Sequence, residues 1–89
     1  MSTHQSHPDV VMRLKRAEGH LRSIIDMLQE GRSCVEVAQQ LQAVEGAISS
    51  AKRVLVHDHV DHCLEKAVRD GSHNEDDLIR EFKAMIRYL

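Results

Sequence analysis

Apolar residues recur along this 89-residue chain at alternating steps of four and three, the period of a helix that turns one side toward a partner. The first such row is Val10, Leu14, Ala17, Leu21, Ile24 and Leu28, which predicts a helix from about residue 9 to about residue 30. Pro8 suits its opening turn, where a missing N–H costs nothing, and Gly31 supplies the stop. A second row, Val37, Leu41, Val44, Ile48, Ala51 and Leu55, belongs to a helix predicted over about 34–69. Ser33 is placed to accept from the backbone N–H near Glu36 while Glu36 reaches back, a capping box. Only Gly46 interrupts the row before Gly71. A third helix is expected over about 75–88, capped by Asn74, acidic in its first turn at Glu75, Asp76 and Asp77, with Leu78, Phe82, Met85 and Leu89 on its apolar side. The pattern therefore predicts an all-α, three-helix subunit with a long middle helix: one domain over 9–89 behind a mobile polar tail, residues 1–8. That middle helix far exceeds the mean length of about 11 to 12 residues, so much of its apolar row needs a second chain.

Composition sharpens this picture. With one Phe, one Tyr and no Trp, the interior must be built from aliphatic side chains, and oligomerisation must add burial that a small chain lacks. The formal charge of −2 fits neither a disordered polyanion nor an overtly basic nucleic-acid binder. No apolar run approaches the roughly 20 residues that span a bilayer, and the polar N-terminus is not a signal peptide, so a cytoplasmic protein is expected. In that compartment two cysteines are read as thiols, ligands or redox sensors rather than a disulfide.

His59 and Cys63 are four apart, so on a helix both project from one face and can grip one ion. The pair sits one position off the apolar row. Cys34 lies 25 residues earlier, about 37 Å along a straight helix, beyond reach within its own chain. Two such helices packed antiparallel and crossing near the small residues Gly46 to Ala51 would bring Cys34 of one chain beside His59 and Cys63 of the partner subunit. Two thiolates and an imidazole favour Cu(I) and accept Zn(II), and a fourth ligand from His4 or His7 would suit Ni(II) or Co(II). The plain alternatives are a small buried residue at Cys34, a reactive thiol there that meets electrophiles or persulfides, and solvated positions for His57 and His62. No catalytic constellation stands out, so the chain is not read as an enzyme. The cations Arg13, Lys15, Arg16, Arg22, Arg32, Lys52 and Arg53 form either an ordinary solvated face or, if an oligomer makes them converge, a phosphate-contacting surface. The residues alone point to a metal- or thiol-sensing helical oligomer; the rival of a different class is a metal-buffering or thiol-redox protein without an operator.

The segments Arg13 to Leu21, Cys34 to Val37 with Gln39-Gln40-Leu41, and His57 to Cys63 together resemble the CsoR/RcnR/FrmR family of small bacterial repressors over nearly the whole chain. The resemblance implies disc-like homotetramers, dimers of antiparallel dimers, that hold operator DNA when metal-free and release it on binding their inducer. It implies metal ligands at Cys34 of one subunit and at His59 and Cys63 of the partner subunit, closest to the Cu(I) sensors. It also implies DNA contact by Arg13, Lys15, Arg16 and Arg53. Nickel and cobalt members add an N-terminal histidine, for which His4 and His7 are the candidates. Ser2 stands where formaldehyde sensors carry proline, and His59 stands where persulfide sensors lack histidine. Copper sensors place a tyrosine before the first cysteine and a glutamate in the third helix as supporting groups; Ser33 replaces the former and Glu81 is the candidate for the latter.

Overall fold

The computed structural model describes residues 6–70 and 75–89, and it is all-α, with three helices. The expected cap Asn74, like His4, lies outside the described residues. Helix α1 spans His7–Gln29, α2 spans Cys34–Asp70 and α3 spans Glu75–Ile86. The periodicity placed the start of α1 two residues later, whereas Pro8 sits inside its first turn. Its N-cap Ser6 makes no side-chain cap bond, because the hydroxyl donates instead to Asp58 Oδ2 on α2, at 2.7 Å.

The turn between α1 and α2 is closed at both ends. Gly31 adopts φ +77°, Arg32 N–H bonds to Met27 O at 3.0 Å and Gly31 N–H to Leu28 O at 3.2 Å, the paired bonds of a Schellman stop. Two residues on, Ser33 Oγ accepts from Glu36 N–H at 3.1 Å. Glu36 does not reciprocate as a capping box would: its Oε1 accepts from the Ser33 hydroxyl at 3.3 Å and its Oε2 from Arg32 at 3.0 Å. That arrangement holds the Glu36 carboxyl below its usual range, chiefly through the Arg32 bond and charge and then through Ser33.

Helix α1 folds back antiparallel along α2. Val10, Ala17 and Ile24 are buried on α1, and Val37, Val44 and Ala51 on α2, with Ala17, Ile24, Val37 and Val44 packed as one cluster closed by Met27. Each apolar row of the sequence therefore splits in two. Every second member is buried inside the hairpin, while Leu14, Leu21, Leu28, Leu41 and Ile48 remain 39% to 58% exposed. The His20 ring, donating from Nε2 to Gln40 Oε1 at 2.6 Å, ties the helices midway and fixes their register.

Helix α3 packs along the C-terminal half of α2, and the described residues show no packing between α1 and α3. Leu78, Phe82 and Met85 are half-buried, as their spacing predicts. Leu89 is not: the helix gives way after Ile86 to turn bonds, Tyr88 N–H to Met85 O and Leu89 N–H to Ile86 O, and Leu89 is 62% exposed. The chain measures 59 × 22 × 13 Å, and its thinnest dimension is close to one helix with its side chains, about 10 to 12 Å.

Candidate metal centre

Helix α2 is unbroken from Cys34 to Asp70, so its pitch puts His59 and Cys63 on one face, one turn apart. Glu81, at mid-length on α3, meets both. His59 Nε2 donates to Glu81 Oε2 at 2.9 Å, and Cys63 Sγ donates to Glu81 Oε1 at 3.8 Å. One ligand atom from each of the three residues lies within 4.8 Å of the other two. Imidazole, thiol and carboxylate in this arrangement fit a borderline divalent ion as they stand, and a second thiolate in place of the carboxylate would make the set soft enough for Cu(I).

Cys63 is buried, 6% exposed, which differs from a position one step off the apolar row. The difference arises because the second half of α2 faces α3, so the row that serves α1 does not continue along it. Burial raises the Cys63 thiol above its ordinary value, and the Glu81 charge and its acceptance of the thiol proton raise it further, with Lys66 opposing. The group is therefore a thiol at neutral pH, and a metal must displace its proton. A histidine that donates from Nε2 to a carboxylate ligates through Nδ1, so Glu81 also sets which His59 nitrogen faces an ion.

Cys34 stands apart. It is exposed at the first residue of α2, and the same continuous helix holds it about 37 Å from His59. Its exposure removes the reading of a small core residue within the protomer. Ser33, where copper sensors carry tyrosine, is occupied with Glu36 and does not extend toward Glu81.

His57 is exposed and His62 half-buried. His7 opens α1, and the Ser6–Asp58 bond lays that end of α1 beside the stretch of α2 that carries His59. The contacts of Ser6, Asp58 and Gln40 leave no mark in the sequence, since the partner of each is chosen by tertiary register. Of the cations, Arg13 pairs with Asp9 at 2.9 Å and Arg22 with Glu18 at 3.6 Å, while Arg16, Lys15 and Arg53 are exposed with no ion-pair partner among the described residues. Arg13 and Arg16 come together between α1 and α2; Lys15 and Arg53 do not join them.

Residues 6–88 match the family model of metal-sensitive transcriptional repressors. The copper-sensing transcriptional repressor CsoR of Mycobacterium ulcerans is 48% identical over 59 residues, 66% of this chain but only 50% of that protein, so the chain spans about half the length of that relative. The copper-sensing transcriptional repressor RicR of Mycobacterium tuberculosis is 34% identical over 96% of this chain and 88% of its own length. Among solved structures, the nickel-responsive transcriptional regulator InrS superposes with a TM-score of 0.84 at 36% identity, covering 100% of this chain and 99% of that one.

Proposed function

The chain belongs to the family of metal-sensitive transcriptional repressors, and from that premise we propose that it holds operator DNA when metal-free and lets go when it captures Cu(I) at sites shared between subunits. The observation that carries this reading is the division of ligands along α2: His59 and Cys63 are gathered at one end with Glu81, and an exposed Cys34 is held at the other. Two copies lying antiparallel would complete two equivalent sites, each with Cys34 from one protomer and His59 and Cys63 of the partner subunit. The uncovered row Leu14, Leu21, Leu28, Leu41 and Ile48 is the surface such a pairing would bury, and two dimers would build the tetramer.

On metal capture His59 and Cys63, with Cys34 of the partner subunit, would hold the ion; Cys63 would give its proton to solvent, and Glu81, released from the thiol, would keep His59 oriented. Cys34, drawn toward the partner, pulls on the stiff turn that joins α2 to α1. Helix α1 carries Arg13, Lys15 and Arg16, which with Arg53 we assign to the DNA phosphates, so their spacing changes with the site. When bound, the ion supplies only a point of convergence for ligands from two chains. Coupling is reciprocal, so DNA must weaken metal affinity by the factor by which metal weakens DNA binding, and a full swing needs about 5.5 kcal/mol of preference. The protein would act in the cytoplasm, where its operator lies; among the described residues no helix is long and apolar enough to cross a membrane.

The deciding experiment titrates a protein–operator complex with Cu(I), Zn(II), Ni(II) and Co(II) and compares the free concentration at which each dissociates it. Cu(I) at the lowest concentration is expected. Cys34→Ala should keep DNA affinity within about twofold and abolish metal-driven release; release by that variant would refute the shared site.

A second reading, Ni(II) or Co(II) sensing, rests on the Ser6–Asp58 bond, which brings the start of α1 and His7 alongside the His59 segment, and on the Glu81 carboxylate. It requires Ni(II) affinity to fall when residues 1–7 are removed, whereas trigonal Cu(I) binding would be unmoved.

A further inference from the structure

Between α1 and α2 lies a pocket of about 230 Å³ that plays no part in the metal centre. Its lining is Arg13, Arg16, Ala17, His20, Ala47 and Ser50. On α1 the contributors follow the spacing i, i+3, i+4, i+7, and on α2 they are three apart, so each helix offers one face. We propose that this pocket is an oxyanion seat that takes a single phosphate, and that in the DNA-bound repressor its occupant is a backbone phosphodiester. This rests on, and adds a subsite to, the operator-binding reading above.

Four observations carry it. The lining holds two guanidinium groups and no carboxylate. Arg16 has no ion-pair partner among the described residues, and Asp9 engages Arg13 through Nε, one of the five N–H donors of a guanidinium. The floor is made of Ala17, Ala47 and Ser50, small enough to let an anion close to both helices, with a hydroxyl donor among them. His20 is held by Gln40 and forms a fixed wall where a free side chain would swing.

Two measurements on the full chain test this. Inorganic phosphate is titrated at constant ionic strength against chloride while backbone amide spectra are recorded; saturable shifts centred on Arg13–His20 and Ala47–Ser50 are expected in the wild type and absent in Arg16→Gln. In parallel, operator affinity is measured against salt for the wild type, Arg16→Gln, Ser50→Leu and the control Arg22→Gln. Arg16→Gln should flatten the slope of log K on log salt by about 0.9 for each pocket engaged, with several-fold weaker binding, and Arg22→Gln should not. Ser50→Leu fills the seat and should weaken binding likewise; Arg16, at an exposed position, keeps the test valid if that variant folds poorly. Saturable phosphate shifts with an unchanged DNA slope would keep the seat but assign it to a free anion. Absence of both effects overturns the proposal. If wild-type protein fails to bind any operator yet phosphate saturates the pocket, the repressor reading falls and the seat stands.

Discussion

Glu81 is the residue on which the candidate centre turns, because it accepts from His59 and Cys63 at once. Glu81→Gln removes the charge and weakens the acceptor that lift the Cys63 thiol, though not the burial that contributes most. The thiol should then titrate lower, and Cys63 should alkylate faster at pH 8, as rates of iodoacetamide modification across pH would show. The linkage has a definite sign. Folding favours the protonated thiol, so this contribution is intact below the unfolded value of about 8.5 and is lost as pH rises through the raised one. Metal capture expels the proton, so affinity should increase with pH up to that same value. The His59 and Cys63 spacing was legible because i, i+4 is a local fact of helices. Glu81 could be suggested only by resemblance, and the Ser6–Asp58 and His20–Gln40 bonds not at all, since each depends on how far one helix slides along another.

For the elements, the four-three alternation marked three helices but could not say which half of each row faces its own chain. Val and Ala, with Ile24, line the inside of the hairpin and let α1 and α2 approach closely, while the Leu members and Ile48 are left outside. The turn between them depends on Gly31 at φ +77°, where a side chain costs about 1 to 2 kcal/mol; Gly31→Ala should lower stability by that much in chemical denaturation. Gly46 is different. A Cβ there would meet nothing within 4 Å in the protomer, so on its own chain Gly46→Ala should strengthen α2 by about 1 kcal/mol. If α2 helices cross at that point, the same substitution should instead weaken association, an outcome sedimentation equilibrium would register as a shift toward monomer.

Taken whole, the protomer is about one helix thick, whereas stable domains pack at least two layers around a core. The missing layer is expected to be another copy, and thermal unfolding should then depend on protein concentration, with the midpoint falling on dilution. A midpoint constant over a hundredfold range would show that the single layer suffices. The length of α2 raises the expectation of a second chain; that α1 and α3 both pack on α2 and, among the described residues, not on each other could not be read from periodicity, which carries no information on how three rods are arranged.

If a second copy covers the outer row of Leu and Ile, this thin plate completes its apolar burial only on meeting that copy. Folding, docking and assembly of the sensing centre would then be one event, governed by how many copies a cell contains. Expression level would thus set the threshold of the response as surely as ligand chemistry does, and a cell that thinned its stock would become deaf to the ion before losing the last molecule.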